Sequence, residues 1–122
     1  MTEADGKTVL VVEDEALLLF TIADDLRAAG FRVFEATSAP AALRLLDTLG
    51  GIDVLFTDVD MPGGMNGLQL AQKVRDRWPA AAVLITSGHV NLGDGDLPRG
   101  GQFLAKPYIP ASVISAIQIA AE

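Results

Sequence analysis

The fold is decided by residues 52–61, Ile-Asp-Val-Leu-Phe-Thr-Asp-Val-Asp-Met. Up to Thr57 this stretch is a mostly apolar run of strand length, and we expect the strand to end at Asp58. Four comparable runs lie elsewhere in the chain, at residues 8–12, 31–36, 82–86 and 102–105. Their nearly continuous apolar character predicts strands that are buried on both faces, as in a parallel sheet.

Segments with helical periodicity separate these strands. Leu18, Ile22 and Leu26 recur every four residues after the first strand and fall on one helical face. After the second strand, Ser38 can cap a helix that has Pro40 in its first turn. Because parallel strands need crossover connections, the alternation predicts a three-layer, doubly wound α/β fold with helices on both faces of a five-stranded sheet.

One connection departs from this regularity. Residues 91–101, between the fourth and fifth strands, contain four glycines, one proline and two aspartates. Glycine and proline disfavour a long regular helix. We therefore expect an irregular or shortened fourth helix, with residues 89–101 short-helical or mobile.

Composition sets broader limits. The 122 residues carry a formal charge of −7 and no cysteine, so we expect one acidic domain over residues 1–122. Residues 1–7 are polar and are expected to form a disordered or extended tail. The negative charge opposes non-specific binding to nucleic acid. No apolar run approaches the roughly 20 residues that span a membrane, and we expect a cytoplasmic location.

Charged and hydroxyl side chains lie at the carboxyl ends of the predicted strands. In an open parallel sheet these ends meet at one edge, where ligands bind. Several carboxylates there would repel one another unless a cation lay among them, and oxygen ligands suit Mg²⁺. An ammonium and a hydroxyl beside them can hold phosphoryl oxygens, so the pattern predicts a phosphoryl-transfer site. The residues are Glu13, Asp14, Asp58, Ser87 and Lys106.

In this order and at these strand ends, the residues resemble the response-regulator receiver domain of two-component signalling, over nearly the whole chain. The resemblance implies a flavodoxin-like (βα)5 fold with strand order 2-1-3-4-5, and a regulatory domain rather than an enzyme. Residues 61–67 resemble the slightly longer loop of receivers that are attached to, or work with, hybrid sensor kinases. The matching positions are Glu13, Asp14, Asp58 in Thr-Asp-Val-Asp-Met-Pro, Ser87, Gly88, Lys106, Pro107 and Tyr108.

The resemblance also implies roles for individual residues. Asp58 would accept a phosphoryl group from a histidine kinase or a histidine phosphotransfer protein, and Ser87 and Lys106 would contact that group. Ser87 and Phe103 would form a switch, and the Lys106–Pro107 peptide would be cis. Mg²⁺ would be bound by Glu13, Asp14, Asp58 and the main-chain carbonyl of Asp60.

Other interpretations stay open at this point. Asp14 could simply cap the first helix, Glu13 could be a solvated loop acid, and Phe103 fits a plain core residue equally well. The Asp58-Val59-Asp60 motif also resembles the nucleophile motif of haloacid-dehalogenase-like phosphatases, with Asp60 as the general acid/base. A third possibility is a degenerate receiver that acts only as an interaction module.

The expected partners are proteins. We expect a phosphodonor histidine protein and a downstream protein partner, no nucleic acid or membrane, and a monomer or weak dimer. No output domain is visible in the 122 residues. The chain is therefore expected to be a single-domain regulator or part of a longer regulator or kinase.

Overall fold

The computed structural model describes residues 6–61, 64–88 and 97–122. Within them lie five strands and four helices. The strands are β1 (Thr8–Val12), β2 (Arg32–Ala36), β3 (Val54–Asp58), β4 (Ala82–Ser87) and β5 (Gln102–Ala105). The helices are α1 (Ala16–Ala28), α2 (Ala39–Leu49), α3 (Gly67–Arg77) and α4 (Pro110–Ala120).

All five strands are parallel and lie in the order β2-β1-β3-β4-β5. The doubly wound fold and the strand order that were expected from the sequence are therefore confirmed. Residues 97–101, before β5, contain turns and no helix. The expectation that residues 89–101 are short-helical or mobile lies outside the described residues for 89–96, and so does the expected tail at residues 1–5.

Alternation along β1 explains the three layers, because successive side chains of a strand point to opposite faces. Val9 and Val11 belong to the core on the side of α1 and α4, together with Phe56 of β3. Leu10 and Val12 belong to the core on the side of α2 and α3. Both cores are buried, so the sheet is fixed from each side.

The helix ends follow the sequence signals. Ser38 caps α2 by accepting a hydrogen bond from the Ala41 amide, and Gly50 ends that helix in the left-handed region at φ 77°. Helix α3 begins with a capping box between Asn66 and Gln69. Helix α1 begins after Glu15 without a side-chain cap, so Asp14 does not have the capping role that its position allowed.

Two strands extend one residue further than the sequence predicted. Asp58 and Ser87 were expected just beyond β3 and β4, and each is instead the last residue of its strand. The ladder continues because the Val59 amide donates to the Thr86 carbonyl at 2.9 Å and the Lys106 amide donates to the Ser87 carbonyl at 3.0 Å. Both side chains are thereby held by paired backbone. In the described part of the chain, no helix is long and apolar enough to cross a membrane.

Candidate functional site

The centre of the site is a lysine between two buried carboxylates at the carboxyl edge of the sheet. The Nζ of Lys106 donates to Oε2 of Glu13 at 3.0 Å and to Oδ2 of Asp58 at 3.2 Å. Glu13 and Asp58 are each only 4% exposed. Charges this well buried require a partner, and Lys106 provides it for both.

A second hydrogen bond fixes Glu13. Its Oε1 accepts a hydrogen bond from the Glu15 amide at 3.0 Å. Glu15 is the residue just before α1, and an amide at this position has no partner within the helix. Glu13 is therefore not the solvated loop acid that the sequence left open. Its carboxylate spans the gap between the first helix and the lysine that follows β5.

Asp14 completes a group of acids. Carboxylate oxygens of Glu13, Asp14 and Asp58 lie within 4.8 Å of one another. Asp14 is exposed, whereas the other two are buried, so the group opens to solvent on one side. The pocket above it has a volume of about 410 Å³, and its lining residues are Glu13, Asp14, Glu15, Asp58, Asp60, Gly88 and Lys106.

Burial and charge perturb these groups in a consistent way. Burial raises the pKa of Glu13 and of Asp58, and the neighbouring Lys106 offsets part of that rise in each case. Burial alone would lower the pKa of Lys106. The hydrogen bond to Glu13 and the charges of Asp58 and Glu13 outweigh burial, so the pKa of Lys106 is raised and its ammonium is retained.

The hydroxyl and the second aspartate of the site face each other. Ser87 is 2% exposed, and its Oγ donates to Oδ2 of Asp60 at 3.1 Å. The Asp60 amide in turn donates to Oδ1 of Asp58 at 3.4 Å, a long contact. Asp60 therefore connects Ser87 with the central carboxylate, a contact that the sequence did not predict.

Two further residues lie against the main-chain carbonyl of Asp58 and were not predicted from the sequence. The Thr57 hydroxyl donates to the Asp58 carbonyl at 3.0 Å. A Cβ atom at Gly67 would overlap that same carbonyl oxygen, so only glycine lets α3 begin so close to β3. The sequence signal for Gly67 was its place in a glycine-rich loop, which did not specify this contact.

The remaining predicted residues lie around this centre. The Lys106–Pro107 peptide is cis, as the resemblance implied. Tyr108 packs its ring against Phe56 at 6.0 Å in an edge-on arrangement, and burial raises its pKa to about 12. Phe103 is half-buried against the core on the side of α2 and α3, and it pairs with Ile85, two residues before Ser87.

Fold and site together define a class, the flavodoxin-like α/β domains with an acidic, lysine-bearing pocket at the carboxyl edge of the sheet. The sequence profile of the response regulator receiver domain matches residues 9–118. The chain belongs to this family, which is regulatory. The match gives no support to the phosphatase interpretation of Asp58 and Asp60.

Two characterised relatives have similar sequences. The hydrogenase transcriptional regulatory protein HoxA of Cupriavidus necator is 32% identical, over 94% of this chain and 24% of HoxA. The sensor kinase CckA of Brucella abortus is 34% identical, over 88% of this chain and 12% of CckA. The chain therefore spans a quarter or less of the length of either relative.

Solved structures agree with this assignment. A response regulator receiver protein from Sinorhizobium medicae superposes with a TM-score of 0.88 at 29% identity, over 95% of this chain and 94% of that one. The receiver domain of the hybrid histidine kinase CckA gives a TM-score of 0.80 at 32% identity, over 94% and 99% of the two chains.

Proposed function

We propose that the chain is a phosphoacceptor receiver in which Asp58 takes a phosphoryl group from a phosphohistidine, and in which this step depends on Mg²⁺. The observation that supports the proposal is the position of the Asp58 carboxylate. It lies 3.2 Å from the Lys106 ammonium and among acids that line an open pocket of about 410 Å³. A carboxylate placed in this way can act as a nucleophile towards phosphorus.

The reaction is a transfer between two proteins. A carboxylate oxygen of Asp58 attacks phosphorus, and the bond between phosphorus and the donor imidazole nitrogen breaks. The electron pair of that bond returns to the nitrogen, which then takes up a proton. Because Lys106 keeps its charge, its ammonium can hold one phosphoryl oxygen, and the Ser87 hydroxyl can donate to another.

The acids suit a hard divalent cation. Three carboxylates within 4.8 Å of one another carry more negative charge than Lys106 alone neutralises, and such oxygen ligands are those that Mg²⁺ prefers. Glu13, Asp14 and Asp58 would hold the ion with the main-chain carbonyl of Asp60. When bound, Mg²⁺ would offset the negative charge of the phosphoryl group.

The phosphodonor that we propose is a histidine kinase or a histidine phosphotransfer protein. Support comes from the similarity to the CckA receiver, which belongs to a hybrid histidine kinase. In this account Phe103 and Ser87 transmit the phosphorylated state to a protein partner. Retention of the acids, the hydroxyl and the lysine favours phosphorylation over the role of a mere interaction module.

Labelling by a small phosphodonor tests the proposal. The protein is incubated with acetyl phosphate and Mg²⁺, and its intact mass is measured with and without a chelator. We expect a mass increase of one phosphoryl group that requires Mg²⁺, and no turnover of a generic phosphate ester. Absence of labelling in the unmodified protein would favour the interaction module, and steady ester turnover would favour the phosphatase.

A further inference from the structure

The residue that the proposed function leaves without a side-chain role is Asp60. Only its main-chain carbonyl was assigned, yet its carboxylate accepts the Ser87 hydroxyl at 3.1 Å. Asp60 is half-buried at the rim of the pocket, whereas Ser87 is 2% exposed. The bond therefore links a rim carboxylate to the hydroxyl that would contact the phosphoryl group.

The chemistry of the hydroxyl makes this bond consequential. A serine hydroxyl has a single proton to donate, and an ionised carboxylate can only accept. While Ser87 donates to Asp60, its proton is not free for a phosphoryl oxygen. Phosphorylation must therefore exchange one charge-assisted hydrogen bond for another.

We propose that Asp60 is a positioning residue. Its carboxylate holds the Ser87 hydroxyl in the position that it has when Asp58 is unphosphorylated, and this lowers the affinity of the site for a phosphoryl group. This inference rests on the proposed function, since it assigns a regulator to the same site. The Asp60 amide fits this role, because its contact with Oδ1 of Asp58 keeps the residue beside the acceptor. Asp60 thereby contacts both the Asp58 carboxylate, through its amide, and the Ser87 hydroxyl, through its own carboxylate.

The test must separate this bond from the general effect of charge. Any carboxylate at the pocket repels an anionic ligand, so removing Asp60 would favour phosphoryl binding even without the bond to Ser87. Glu15 provides a matched control, because it is an exposed carboxylate on the same pocket. The second control is the Ser87→Ala background, in which Asp60 has no hydroxyl to hold.

The probe is beryllofluoride with Mg²⁺, a phosphoryl mimic that has activated the receiver domain of DrrB. Its dissociation constant is measured by ¹⁹F NMR for the unmodified chain, Asp60→Ala, Asp60→Asn and Glu15→Ala, each with Ser87 present and with Ser87→Ala. We expect Asp60→Ala to tighten binding about fivefold more than Glu15→Ala, the size expected for one partly exposed hydrogen bond to a charged group. Asp60→Asn keeps an oxygen acceptor, so its effect on the dissociation constant should fall between those of Asp60→Ala and Glu15→Ala.

In the Ser87→Ala background, Asp60→Ala should no longer tighten beryllofluoride binding more than Glu15→Ala does. Equal effects of Asp60→Ala with and without Ser87, or equal effects of Asp60→Ala and Glu15→Ala, would overturn the inference. If the unmodified chain bound beryllofluoride and were labelled by acetyl phosphate, such a result would leave the phosphoacceptor function standing. If it did neither, the proposed function would fall and the role of Asp60 with it.

Discussion

The Lys106 ammonium lies 3.2 Å from the Asp58 carboxylate, although 48 residues separate the two in the chain. The same ammonium lies 3.0 Å from Glu13. One cation thus pairs with two buried acids, Glu13 just after β1 and Asp58 at the end of β3. The site is held together by charge as well as by the sheet, and its stability should respond to the removal of any one partner.

The first prediction concerns the stability cost of the buried Asp58 carboxylate. Burial raises the folded-state pKa of Asp58, so the ionised carboxylate destabilises the folded chain at neutral pH. We expect Asp58→Asn to raise the Tm at pH 7 by about 4 °C, roughly 1 kcal/mol for a domain of this size. Thermal unfolding followed by circular dichroism measures the change.

The sign of its pH dependence provides the control. With a raised folded pKa, the contribution of Asp58 is favourable below its unfolded value of 3.8 and is lost as the pH rises through the folded value. The advantage of Asp58→Asn should therefore shrink as the pH falls from 7 towards 4. An advantage that stays constant with pH would mean that it does not come from the carboxylate charge.

Loss of the lysine should have the opposite effect. Lys106→Met leaves Glu13 and Asp58 buried without their cation, and the Lys106 side chain is only 21% exposed. We expect a loss of about 2 kcal/mol in the free energy of unfolding, below the full cost of breaking a fully buried pair. Adding Glu13→Gln should recover part of it. Urea denaturation checks both, and equal stability of Lys106→Met and the parent chain would contradict the account.

The close approach of α3 to β3 yields a third prediction. Gly67→Ala places a Cβ against the Asp58 carbonyl oxygen, so backbone must shift, and we expect a loss of about 2–3 kcal/mol. Gly88→Ala is the matched control, because a Cβ there meets only Lys106 side-chain atoms at 3.5 Å or more. It should cost less than about 0.5 kcal/mol. Comparable losses for both variants would show that Gly67 has no special steric role.

Two buried threonines on adjacent strands provide a fourth, paired prediction. The Thr86 hydroxyl is buried and has no hydrogen-bond partner among the residues that the structure describes, whereas that of Thr57 donates to the Asp58 carbonyl. We expect Thr86→Val to stabilise the chain by about 1 kcal/mol and Thr57→Val to destabilise it by a similar amount. Chemical denaturation of both variants compares them directly, and changes of the same sign would contradict the assignment.

Much of the fold could be predicted from the sequence because its signals are local and repeated. Apolar runs of strand length and capping residues such as Ser38 each specify their own segment, and parallel pairing follows from the alternation. Errors arose at strand ends. Asp58 and Ser87 lie within β3 and β4 because hydrogen bonds from the neighbouring segments extend the ladder.

The contacts within the site were less predictable. The topology alone placed Glu13, Asp58 and Lys106 at one edge of the sheet. Their hydrogen bonds join residues that are 48 and 93 positions apart in the sequence, and they depend on the side-chain conformations. The bond between Ser87 and Asp60 depends on the path of the loop after β3. No periodic pattern specifies that path, so the sequence specified neither this bond nor the contact at Gly67.

The central claim is that the phosphoryl group goes to Asp58, and mapping the modified residue tests it most directly. The chain is labelled with acetyl phosphate and Mg²⁺ and treated with borohydride, which reduces an acyl phosphate to the alcohol, so that a modified aspartate becomes homoserine. Peptide mass spectrometry then locates that residue. The account predicts homoserine at position 58 and none in Asp58→Asn. Homoserine at position 14 or 60, or unchanged labelling of Asp58→Asn, would contradict it.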